Sequence, residues 1–193
     1  MKRCINALLL VAFLAASCVL PNKYEATATV EKDACQVDYK GQFLVLAALN
    51  KNVPPEQARA GTIDAMKRFE AELMTQGGTI KTNLIGPGLF EATVAMKQLI
   101  EKNPKPVLNL FTIQKDEQGK VTLKTMEANE REKKAFPEAG IEGKGELTVI
   151  TKGKVLEENA QDKPGWWAKW IPSGYVWKLD YVNGTPATMV IQF

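Results

Sequence analysis

Histidine is absent from the 193 residues, which removes every catalytic triad, zinc site or proton shuttle that depends on an imidazole. Beyond residue 17 there is one serine, Ser173, in Pro172-Ser173-Gly174-Tyr175. The glycine two residues before a nucleophile elbow is missing there, so Ser173 is expected in a turn. Cys35 has no imidazole to draw off its proton and is expected to be an inert buried thiol. Gly86-Pro87-Gly88 is expected to turn the chain, because proline lacks the backbone donor a phosphate cradle needs. Carboxylates remain, 22 of them. A glycosidase needs only two, about 5 to 10 Å apart, so a carboxylate-based hydrolase of cell-wall glycan is the enzymatic alternative. Spacing singles out no such pair, and Glu130, Glu132, Glu157 and Glu158 lie in polar runs that suit solvated surface. No calcium-loop spacing occurs. The expectation is no catalytic residue, no metal and no cofactor.

The other unusual chemistry is aromatic. All four tryptophans fall between Trp166 and Trp177. Trp177 belongs to the alternating run Tyr175, Trp177, Leu179, Tyr181 and is expected in a core. Trp166, Trp167 and Trp170, with Lys169 among them and Lys163 nearby, lie between Pro164 and Pro172. They either plug one end of a sheet or form an exposed patch; tryptophan beside lysine suits a bilayer interface, a sugar face or a protein partner.

The N-terminus decides where such a patch would work. Lys2 and Arg3 precede an apolar run from Ile5 to Ala16, broken by Asn6, and Ala15, Ala16 and Ser17 lead to Cys18. That is the layout of an export leader over residues 1–17, of the type in which the following cysteine is acylated. The run is too short to span a bilayer, which takes roughly 20 residues. Acyl chains on Cys18 would hold the remainder to a membrane, each buried methylene contributing about 0.8 kcal/mol. Residues 18–193 are expected to be one tethered domain in the cell envelope, facing the periplasm or the exterior. Removing 17 residues leaves 176, enough for a sizeable core. Losing Lys2 and Arg3 lowers the net charge from +3 to +1, which gives nucleic acid no basic footprint. If Cys18 carries no lipid, a Cys18–Cys35 disulfide is open to it in an oxidising compartment.

The elements that must position these residues follow from periodicity. Tyr24, Ala26, Ala28 and Val30 alternate as a half-buried strand, and Val37, Tyr39, Phe43 and Val45 as a second. Asn52-Val53-Pro54-Pro55 opens a helix with the stripe Ile63, Met66, Phe69 and Leu73, closed by Gly77-Gly78. A strand to Met96 and a helical turn to Asn103 come next. Val107–Ile113 and Val121–Met126 flank Asp116-Glu117-Gln118-Gly119 as a hairpin. Glu127–Lys134 suits a short polar helix and Glu146–Leu156 a strand. Asn183-Gly184 signals a hairpin between the Tyr175–Tyr181 strand and a returning strand at Ala187, Met189, Ile191 and Phe193. The sum is an α+β domain: a large, mostly antiparallel sheet with one long helix packed on a face.

Gly145 to Trp177 carries a family resemblance. Glu146-Leu147-Thr148-Val149-Ile150 leads to Gly153-Lys154-Val155-Leu156-Glu157-Glu158-Asn159-Ala160 and then to Tyr175-Val176-Trp177. This glycine–valine–asparagine stretch followed by an aromatic–x–tryptophan strand resembles the LppM-type domain of bacterial envelope lipoproteins, over roughly Tyr24 to Phe193. The resemblance implies a surface-tethered, non-enzymatic domain that engages envelope lipids or glycolipids, and it supplies no catalytic residue. The expected function is a non-catalytic envelope lipoprotein that binds lipid, glycolipid or an envelope protein. Cys18 would be the lipidation site, and Trp166, Trp167, Trp170 and Lys169 the contact residues.

Overall fold

Long alternating strands dominate the computed structural model, which describes residues 19–49, 52–138, 141–165 and 174–193. Eleven strands among them form two sheets. The larger contains β1 (Val19–Val30), β2 (Ala34–Val45), β3 (Thr79–Gly86), β4 (Leu89–Leu99), β8 (Lys144–Thr151) and β10 (Tyr175–Asp180), in the order β10-β8-β1-β2-β4-β3. The smaller runs β5-β6-β7-β11-β9, from β5 (Lys105–Val107), β6 (Phe111–Lys115), β7 (Lys120–Thr125), β9 (Lys154–Glu158) and β11 (Thr188–Gln192). All pairs are antiparallel except β1 with β8. The fold is α+β and mostly antiparallel, as the periodicity implies, with its strands shared between two sheets.

One core joins the sheets. Tyr24, Ala26, Ala28 and Val30 of β1 are buried, as are Val37, Tyr39 and Phe43 of β2. They meet Phe111, Ile113, Leu123, Met189 and Ile191 of the smaller sheet and the fully buried Trp177 of β10. The long helix α1 (Pro55–Thr75) covers the same inner face, where Phe69 packs against Phe43 and Phe90 with ring centroids 4.7 and 6.0 Å away. Its buried positions are Ala58, Thr62 and Leu73. Thr62 therefore takes the place expected for Ile63: its hydroxyl donates to the Ala58 carbonyl and accepts from Gly88 N–H, both at 2.7 Å. That second bond fixes the Gly86-Pro87-Gly88 turn to the helix. Gly77, at φ +77°, ends α1, and Gly78 N–H donates to the Leu73 carbonyl at 2.9 Å.

Four local expectations change for long-range reasons. No helical turn follows Met96; β4 continues to Leu99 because β2 is long enough to pair Ala34 with Leu99, leaving Leu99 68% exposed. Val107–Ile113 is two strands, split where Leu108 and Asn109 adopt φ +52° and +54°. Glu146–Leu156 breaks at Lys152-Gly153, and its halves join different sheets. Asn183-Gly184 is a turn but not a hairpin: β10 and β11 lie in different sheets, so the turn carries the chain between them. Asp180 organises it, its Oδ1 accepting from Val182 and Asn183 N–H at 3.0 and 2.9 Å. The second helix, α2 (Glu130–Glu138), lays Phe136 with Ile141 and Val182 over Leu44, against Leu20 and Leu89. It thereby covers the apolar end of the larger sheet's outer face.

Candidate functional site

The rest of that outer face is polar. One register row crosses all six strands: Lys178, Glu146, Glu25, Lys40, Thr93, Lys81. Glu25 and Glu146 are like charges on adjacent strands, an unfavourable pairing that Lys40 and Lys178 offset from either side. Around this row lies an open groove of about 600 Å³ lined by Lys23, Lys40, Lys144 and Lys178 and by Glu25, Glu91 and Glu146. Such a ring of charges suits a polar or zwitterionic group. Under the row, Tyr24 pairs with Gly41 and Gly145 on its two sides. A Cβ on either glycine would lie 2.5 Å from Tyr24 atoms, so the tyrosine excludes side chains there.

A crevice between the sheets, at Pro21, Tyr24, Asn109, Leu110 and Leu179, holds about 20 Å³. Small-molecule sites enclose roughly 300–1,000 Å³, so this crevice has no room for a lipid tail.

A hydrolase needs one carboxyl kept protonated near neutral pH. The carboxylates with a clear shift move the other way. Lys115 hydrogen-bonds Asp33, Lys23 hydrogen-bonds Glu142 and Lys163 hydrogen-bonds Glu158, and each lysine holds its partner below the usual carboxylate range. Among the described residues no group of three or more His, Cys, Asp or Glu side chains is placed to hold a metal.

Cys18, Trp166, Trp167, Lys169 and Trp170 lie outside the described residues, as does Ser173. Their described neighbours are informative. Val19, next to Cys18, begins β1 and pairs with Val45, whereas Cys35 pairs with Val30 at the other end of the same ladder. Eleven residue steps of strand separate those ends, roughly 36 Å at about 3.3 Å each. A disulfide requires Cα atoms within about 7 Å, and Cys35 lies at the opposite end of the ladder from Val19. Cys35 is a fully buried free thiol, and burial pushes its pKa up to about 12.

The tryptophan segment's two roots also have fixed positions. Gln161 and Asp162 run along the free edge of β10: Gln161 N–H donates to the Val176 carbonyl at 3.1 Å, and Val176 N–H to the Asp162 carbonyl at 2.9 Å. The Gln161 side chain extends the edge, accepting from Lys178 N–H at 2.9 Å and donating to the Lys178 carbonyl at 3.3 Å. On the return, Tyr175 pairs with Val149, which pairs with Ala28. Both roots therefore stand level with the far half of β1, away from Val19.

Asn159 enters the sequence reading only as the end of the glycine–valine–asparagine stretch, with no role of its own. Its Oδ1 accepts from the Trp177 indole N–H at 2.9 Å and from Thr188 N–H at 2.8 Å, and its Nδ2 donates to the Pro186 carbonyl at 2.8 Å. One amide thus fastens the buried tryptophan of the larger sheet to the first residue of β11 in the smaller. Spacing cannot signal this, because Trp177 and the Pro186–Thr188 stretch lie well beyond Asn159 in sequence.

Among the described residues no helix is long and apolar enough to cross a membrane. No family model matches the chain, and no curated protein matches it. The chain is similar to the NMR structure of the folded domain of LppM from Mycobacterium tuberculosis, at 11% sequence identity and a TM-score of 0.48, over 90% of this chain and 92% of that one. At that identity the likeness assigns neither ligand nor partner.

Proposed function

We propose that this chain is a non-catalytic envelope lipoprotein, exported by residues 1–17, acylated at Cys18, and binding a lipid headgroup, a glycolipid or an envelope protein. The supporting observation is the start of β1 at Val19, directly after Cys18. An acylated Cys18 would hold the sheet to the bilayer with no linker between. Trp166, Trp167, Trp170 and Lys169 form the contact surface in this reading. The segment's roots stand toward the end of the sheet remote from the anchor, which favours a glycan or protein ligand beyond the membrane surface over the anchoring bilayer itself. The 20 Å³ crevice supports headgroup recognition over uptake of a chain.

The test has two parts. The intact mass of the protein from the membrane fraction should show removal of residues 1–17 and added acyl mass at Cys18, and Cys18→Ala should release the protein from the membrane. Trp166→Ala combined with Trp170→Ala should leave the fold intact by circular dichroism and abolish binding to envelope fractions. Unprocessed cytosolic protein would overturn the anchor, and unchanged binding by the double variant would overturn the contact surface.

A further inference from the structure

Sheet edges are recognition sites unless something covers them, because each presents a row of unpaired N–H and C=O groups. Three of the four edges here are managed. Gln161 and Asp162 occupy the outer edge of β10, with a side-chain amide standing in for a peptide group. β5 is three residues long and contains Pro106, which has no N–H to offer. β9 is five residues long and its pairing with β11 slips between Val190 and Ile191. The fourth edge is β3. It is eight residues long, pairs with β4 on one side, and has no strand on the other among the described residues.

We propose that β3 is a docking edge that takes an extended segment of a partner protein as an added antiparallel strand. The chemistry of the edge states what that segment carries. Ile80, Thr82 and Leu84 face inward and are only half-buried, so apolar side chains beside Ile80 and Leu84 would complete their cover. Thr82 is tied to α1 by a hydrogen bond with Glu70, so the helix holds β3 through a side chain on its inner face. Lys81 is exposed on the outer face and makes no ion pair among the described residues. A carboxylate opposite it would supply a cross-strand charge pair. The segment therefore alternates, with apolar residues four apart and an acidic residue next to the one that faces Ile80. A second copy of this chain fits less well. Antiparallel pairing of β3 with itself would reverse β1 in the second copy, sending the two Cys18 anchors out of opposite ends of the joined sheet. That exclusion rests on the anchoring proposed above; the docking edge itself does not.

The test uses the full chain in detergent with the acetylated, amidated heptapeptide Thr-Val-Ser-Val-Glu-Val-Thr, in register with Val facing Leu84 and Ile80 and Glu facing Lys81. Hydrogen–deuterium exchange should slow in Thr79–Gly86 and nowhere else. Replacing the peptide's Glu by Lys should weaken binding about 5-fold, the ratio that about 1 kcal/mol of cross-strand charge pairing produces. N-methylation at alternate peptide residues, which removes the donors and leaves the protein untouched, should abolish binding. No protection, protection mapping elsewhere, or equal binding of the N-methylated peptide would overturn the proposal. So would a concentration-dependent dimer protected over the same residues without peptide, which would make the occupant a second copy. A chain that proves unacylated but still protects β3 refutes the anchor alone.

Discussion

The Asn159 side-chain oxygen accepts the Trp177 indole N–H at 2.9 Å, and this bond joins the two sheets at a point where neither has a backbone ladder to the other. Trp177 is 1% exposed, and its donor finds its acceptor in the exposed side chain of Asn159. The two residues lie 18 apart, with the whole tryptophan segment between them.

Asn159→Ala leaves the Trp177 N–H and the Thr188 N–H without an acceptor, an unmade bond at a buried site costing about 1–3 kcal/mol. Urea unfolding should show a loss in that range. Trp177→Phe removes the donor along with ring volume, and the double variant should be less destabilised than the sum of the singles. Strict additivity would show that the bond contributes nothing.

Gly145→Ala should destabilise the fold by about 1–3 kcal/mol, because the new methyl carbon meets the Tyr24 ring 2.5 Å away in a strand paired on both sides. Tyr24→Ala costs packing of its own but removes the clash. Thermal unfolding of the double variant should therefore fall well short of the summed losses, which tests the ring rather than the backbone as the obstacle.

Alkaline pH should weaken the fold by ionising the Cys35 thiol that burial keeps protonated. Cys35 ionises near 9.0 when exposed and at about 12 in the folded chain, because burial penalises the thiolate. Between those values the folded state binds the extra proton, so this contribution is complete below pH 9 and is lost as pH rises toward 12. Burial raises Tyr24 and Tyr39 in the same direction. Unfolding midpoints should fall across that window, less steeply for Cys35→Ala. Iodoacetamide should label Cys35 only under unfolding conditions.

Acid should act through three ion pairs, two with exposed carboxylates and one in which Glu158 is largely covered. Asp33, Glu142 and Glu158 have lowered pKa values, held by hydrogen bonds from Lys115, Lys23 and Lys163. Their contribution is present above the ordinary carboxylate pKa and is lost as pH falls through the folded values. Because these pairs are solvent-screened, the effect should be small and should shrink further in high salt. Denaturation midpoints compared at pH 7 and pH 3, with and without salt, check both points.

Local pattern carried much of this fold. The alternation of Tyr24, Ala26, Ala28 and Val30 names a buried strand face without reference to anything distant, and proline and glycine mark both ends of α1. Partnership was hidden. Nothing in Glu146–Ile150 announces a parallel pairing with β1, and nothing in Asn183-Gly184 says that its flanking strands enter different sheets. Leu99 matched a helical spacing but was drawn into β4 by the length of β2, a choice made by a strand more than fifty residues earlier. The charged outer row escaped notice for the same reason: its members come from six strands, and only the assembled register brings them side by side.

The course of β1 has a mechanical consequence. The strand lies inside the larger sheet, with β2 along its whole length and β8 along Tyr24–Val30. If Cys18 carries the lipid proposed above, a tug from the membrane, resisted by something gripped at the far end of the sheet, would run along the strand axis. The two ladders must then shear together; they cannot peel apart one rung at a time. Survival under such a load is governed by the unfolding rate and not by equilibrium stability.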